Sequence, residues 1–104
     1  MTHPSMSARI RMYSTAMCPY CVRAERLLVA RGAASIDKLR VDLEPALREE
    51  MIRITGRRTV PQIFIGDLHV GGFEELAALD RQGSLAGLLE PDRQPHAPTQ
   101  GRSP

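Results

Sequence analysis

Two sulfur atoms open the chemistry of this chain: Cys18 and Cys21, spaced as Cys18-Pro19-Tyr20-Cys21, are its only cysteines. A pair two residues apart is suited to redox exchange or to metal. A structural zinc needs four ligands. His3, His69 and His96 are the remaining good donors, and His3 and His96 lie near the ends of the chain. The reading is therefore thiol chemistry with no metal. Pro19 suits the first turn of a helix, which places Cys18 at or just before the helix start. Unpaired backbone N–H groups and the helix dipole stabilise a thiolate there. Cys21, three residues on, falls in the first turn, more buried and close enough to close a disulfide. Cys18 is the expected nucleophile and Cys21 the resolving thiol.

Such a pair needs a strand to lead into it and a helix to carry it. Arg9 to Ser14 alternates polar and apolar, as a half-buried strand does. Cys21, Ala24, Leu27 and Leu28 share one helical face, and Gly32 supplies the stop. Ile36, Leu39 and Val41 mark a second strand within Ser35 to Asp42. Pro45 opens a second helix with Leu47, Met51 and Ile54 as its inward stripe, ended by Gly56. Val60 to Ile65 reads as a buried strand. Gly66-Asp67 turns the chain into a short return strand, Leu68-His69-Val70, with His69 on the hairpin surface. Phe73, Leu76 and Leu79 line a third helix closed by Gly83. Ser84 caps a last one carrying Leu85, Leu88 and Leu89.

The order β-α-β-α-β-β-α plus a terminal helix begins with a crossover, which implies two parallel strands. The hairpin adds antiparallel strands. The expected fold class is α/β: a four-stranded mixed sheet flanked by helices on both faces. Residues 1–8 read as a flexible N-terminus and 9–90 as one domain. Residues 91–104, with four prolines and no large apolar side chain, read as a disordered tail.

The bulk numbers exclude several classes. At 104 residues and 42% apolar content the chain supports one core; a domain of this size buries roughly 65% of its unfolded surface. Net charge is +2, from 14 basic and 12 acidic residues. That balance argues against nucleic acid or a membrane surface as partner. No apolar run reaches the ~18 residues of a spanning helix, and Met1 to Ser7 lacks the apolar centre of a signal peptide. A cytoplasmic monomer is expected.

Cys18-Pro19-Tyr20-Cys21, Thr59-Val60-Pro61 and Gly71-Gly72-Phe73-Glu74-Glu75-Leu76, in this order and spacing, resemble the three signatures of dithiol glutaredoxins. The resemblance covers about Arg9 to Glu90. It implies a thioredoxin-like fold, glutathione as co-substrate with no tightly bound cofactor, and a cis Pro61. Val60 would pair through its backbone with the cysteine moiety of glutathione, as an added strand does. The helix start at Gly72-Phe73-Glu74 would meet the γ-glutamyl carboxylate, Glu74 or Glu75 the γ-glutamyl amine, and Tyr20 would flank the tripeptide. Arg58, with Arg57 beside it before Thr59, suits the glycine carboxylate. Many relatives carry a lysine three residues before the first cysteine; here that position is Thr15, which shifts the carboxylate grip to Arg57, Arg58 and Arg23.

The resemblance implies reduction of disulfide and glutathionylated proteins, with ribonucleotide reductase as a candidate partner. Two alternatives stand beside it. One is a redoxin of the same fold reduced by thioredoxin reductase. The other is a carrier holding an iron–sulfur cluster between two subunits through Cys18 and glutathione.

Overall fold

The computed structural model describes residues 9–89. The expected flexible start at 1–8 and disordered tail at 91–104 lie outside the described residues. Four strands, β1 (Ile10–Ser14), β2 (Asp37–Arg40), β3 (Gln62–Ile65) and β4 (Leu68–Gly71), form one sheet in the order β2-β1-β3-β4. β1 runs parallel to β2 and antiparallel to β3, and β4 returns antiparallel beside β3. The helices are α1 (Pro19–Ala30), α2 (Pro45–Thr55), α3 (Phe73–Arg81) and α4 (Leu85–Leu89). This is the mixed, helix-flanked sheet that the crossover and the hairpin require.

The period of two along the strands divides the core into two layers. Ile10, Met12, Ile63 and Ile65 meet Ala24 and Leu28 of α1, Leu76 of α3, and Leu85 and Leu89 of α4. Tyr13 and Phe64 face the other way, toward Met51 of α2 and Val41. The Tyr13 hydroxyl donates to Glu50, joining sheet to helix. Arg31 reaches Asp80 with two bonds of 2.5 and 3.0 Å, fastening the end of α1 to α3.

β2 is an edge strand of sequence Asp-Lys-Leu-Arg. Its charged side chains are all engaged: Asp37 with Arg9, Lys38 with Glu25 of α1, Arg40 with Asp42.

Three expectations need correction. β3 begins at Gln62, not Val60: Pro61 has no N–H for the ladder, so the two preceding residues become part of the loop. Ile54 is not on the inward face of α2; it is 40% exposed, and Ile52 packs on the cluster instead. Angular spacing places Ile54 inside, but it lies in the last turn, past the small Tyr13–Phe64 face. His69 is not a plain surface residue. It is half-buried, stacked on Phe64, with Nε2 2.8 Å from Gln62 Oε1.

Candidate active site

Cys18 is the N-cap of α1, with extended backbone at φ −139°, and Pro19 takes the first helical position. Its sulfur performs the cap: Cys21 N–H donates to Cys18 Sγ at 3.1 Å. An atom that accepts from the first turn is placed where negative charge is favoured. The Cys18 thiol is directed at the Val60 carbonyl, 3.9 Å away. Cys18 is partly exposed; Cys21 is only 4% exposed. Burial, reinforced by the contact with Cys18, pushes the Cys21 thiol up to about 12, against the opposing effect of the Thr15 backbone N–H. Both cysteines are free thiols. One sulfur is presented to solvent and the other is held protonated behind it.

The loop before Cys18 is braced from β2. Ala16 N–H donates to Asp42 at 3.2 Å, and Arg40 grips the same carboxylate through two bonds of 2.7 Å. That grip by Arg40 takes the Asp42 carboxyl down to about 2. Met17, next to Cys18, is 90% exposed.

Across from the dithiol, the Val60–Pro61 peptide bond is cis. The segment Thr59-Val60-Pro61 and the start of α3 enclose a groove of about 230 Å³ with Tyr20. Thr59, Val60, Pro61, Gly72, Phe73, Glu74 and Tyr20 line it. The residues expected to hold glutathione are thus brought together, except Arg58, which stands exposed on the loop before Thr59 and has no ion pair among the described residues. Tyr20 and Phe73 form the walls, with ring centroids 6.3 Å apart. The Arg23 guanidinium lies 5.4 Å over the Tyr20 ring.

The two acidic residues at the start of α3 divide their work. Glu75 Oε1 accepts from Gly72 N–H at 2.6 Å and from Arg57 at 3.5 Å. The Gly72 N–H first, and Arg57 after it, hold the Glu75 carboxyl below its usual range. Glu75 thus caps the start of α3 and meets Arg57, while Glu74 lines the groove and Arg58 has no ion pair among the described residues. Glycine is favoured at position 71 by its backbone. Its φ is +113°, and a Cβ there would sit 2.7 Å from Glu75 Oε1. Gln62, left outside the site by the sequence, bonds to Thr59, and His69, likewise left outside, bonds in turn to Gln62.

A dithiol capping a helix, faced by a cis-proline loop at the end of a mixed four-stranded sheet, defines a thiol–disulfide oxidoreductase of thioredoxin-like fold. A glutaredoxin family model matches residues 10–70. Glutaredoxin from Neisseria meningitidis serogroup A is 51% identical over 82 residues, covering 79% of this chain and 96% of that protein. Glutaredoxin 3 from Escherichia coli K12 is 48% identical over 83 residues, covering 80% of this chain and 99% of that protein. The crystal structure of a buckwheat glutaredoxin–glutathione complex superposes with a TM-score of 0.72 at 32% identity, covering 79% of this chain and 76% of the other. The chain belongs to the glutaredoxin family and is an oxidoreductase of the thiol transferase type. Among the described residues no helix is long and apolar enough to cross a membrane.

Proposed function

We propose that this protein reduces protein disulfides and protein–glutathione mixed disulfides at the expense of glutathione, through Cys18 and Cys21. The observation that carries the reading is the groove: its lining of Tyr20, Thr59, Val60, Pro61, Gly72, Phe73 and Glu74 opens beside a sulfur aimed at the Val60 carbonyl.

The Cys18 thiolate attacks the glutathione sulfur of a mixed disulfide. A Cys18–glutathione disulfide forms and the protein leaves as a thiolate, which takes a proton. A second glutathione, as thiolate, attacks the bound glutathione sulfur, so that oxidised glutathione departs and the Cys18 thiolate returns. On a protein disulfide, Cys18 attacks first. Cys21 then loses its proton and attacks the Cys18 sulfur, releasing the second protein thiol. The resulting Cys18–Cys21 disulfide is reduced by two glutathiones. Val60 pairs with the tripeptide backbone, the free N–H groups of α3 meet its γ-glutamyl carboxylate, Glu74 meets the amine, and Arg58 meets the glycine carboxylate.

A glutathione-coupled assay on the wild type, Cys18→Ser and Cys21→Ser tests this. Loss of both activities in Cys18→Ser, with loss of protein-disulfide reduction alone in Cys21→Ser, is expected. Equal rates for wild type and Cys18→Ser would remove the assignment, and turnover that ignores glutathione but follows thioredoxin reductase would replace the reductant.

A further inference from the structure

Gln62 is fully buried, and the disulfide chemistry makes no use of it. A carboxamide removed from water needs partners at both ends. This one finds them on two different segments. Its Nε2 donates to the Thr59 carbonyl at 3.1 Å and reaches Thr59 Oγ1 at 3.3 Å. Its Oε1 lies 2.8 Å from His69 Nε2. A backbone carbonyl only accepts, so the NH₂ end of the amide faces Thr59 and the oxygen faces His69. The hydrogen between Gln62 and His69 therefore belongs to the imidazole Nε2. Both the neutral Nε2–H tautomer and the imidazolium donate this bond.

The imidazole is held in place from its flank. It stacks on Phe64 with centroids 4.8 Å apart, and the Arg11 guanidinium lies 4.7 Å from the same Phe64 ring. Burial and then Arg57 lower the proton affinity of His69, with Glu75 opposing. A line of hydrogen bonds thus runs from β4, across β3, into the loop whose next carbonyl, that of Val60, faces Cys18.

We propose that Gln62 and His69 are positioning residues for the glutathione-binding backbone: His69 orients the Gln62 amide, and the amide sets Thr59 so that Val60 is presented to the tripeptide. Neither side chain touches the substrate. The inference rests on the glutathione reading given above and adds to it the part of the sheet that holds the groove in shape.

The test separates donor from ring. His69→Phe keeps the stack and removes the N–H; His69→Gln restores an N–H at similar reach; Gln62→Leu removes both ends. With a glutathionylated peptide as substrate, KM should rise about tenfold in His69→Phe and Gln62→Leu, the equivalent of one buried hydrogen bond. The kcat and the rate of Cys18 alkylation should stay within about twofold of wild type, and His69→Gln should recover most of the KM, by the same hydrogen-bond argument. A wild-type KM in His69→Phe overturns the proposal. So does a His69→Gln variant as poor as His69→Phe, or a parallel fall in Cys18 alkylation.

A second readout is independent of glutathione. The Gln62 side-chain amide protons should exchange slowly in wild type and fast in His69→Phe; equal protection overturns the relay. A wild type that accepts a cysteamine mixed disulfide with the same KM as the glutathionylated peptide overturns the glutathione reading instead, and the amide exchange then decides the relay alone.

Discussion

The protonated state of Cys21 makes a quantitative demand on its reactivity. In Cys18→Ser, Cys21 is the only thiol left in the chain. Burial is the largest cause of its high proton affinity, and burial survives the substitution; only the smaller contribution of the neighbouring sulfur is lost. The gap between about 12 and an ordinary thiol near 9 leaves ~1,000-fold less thiolate at pH 7. Allowing for the lost neighbour, iodoacetamide should label Cys21 at least ~100-fold more slowly than a small free thiol, since the thiolate is the reacting species. The rate should climb about tenfold per pH unit up to pH 10 without a plateau, as expected for a group titrating above that range. Unfolding in urea should restore ordinary labelling. In the wild type, peptide mapping by mass spectrometry should find one rapid adduct, on Cys18. A Cys21 in Cys18→Ser that reacts within about tenfold of a free thiol in the folded state, or a first adduct on Cys21 in the wild type, would refute the reasoning from burial.

Gly71→Ala should lower stability by about 2 kcal/mol through its left-handed backbone and the clash with Glu75; an unchanged urea midpoint would show that the loop yields freely. Leu76→Ala should cost about 3 kcal/mol in equilibrium unfolding, because Leu76 is fully buried where α3 meets the sheet. A loss under about 1 kcal/mol would mean that α3 collapses into the space. The Asp42 carboxyl is lowered in the folded state, from 3.8 to about 2, by Arg40. Its stabilising contribution is therefore complete above 3.8 and disappears as pH falls through about 2. Wild type should lose Tm more steeply than Asp42→Asn between pH 5 and 2; parallel curves would remove Asp42 from the acid response.

Helix starts and stops were legible in the chain because they are local. Pro19 and Pro45 begin helices, Gly56 ends one in the left-handed region at φ +72°, and Gly66-Asp67 turns the hairpin. The parallel pair and the antiparallel return followed from the crossover and the hairpin; which strand the hairpin joins, β1, is set by the structure. The groove lining was read from three separated motifs, and the fold places them on one cavity. What failed depended on distant partners. Nothing near His69 in sequence shows that Gln62, a strand away, faces it with a carbonyl oxygen. Nothing near Arg57 in sequence shows that Glu75 meets it across the groove mouth. Ile54 failed for a different reason: a periodicity gives the angle of a side chain around a helix but not how far the opposing surface extends.

The edge strand β2 has a consequence for how the molecule behaves in a crowd. An open edge offers unpaired N–H and C=O groups to any other chain, the usual start of edge-to-edge aggregation. Here three of the four edge residues, Asp37, Lys38 and Arg40, are charged and already bound to Arg9, Glu25 and Asp42. A neighbour adding a strand would have to displace those ion pairs and set its own backbone among bare charges. At the opposite edge β4 is four residues long, and its register shifts against Ile63 and Phe64. Short and irregular, it is a poor template for a second chain. The sheet thus resists growth at both margins.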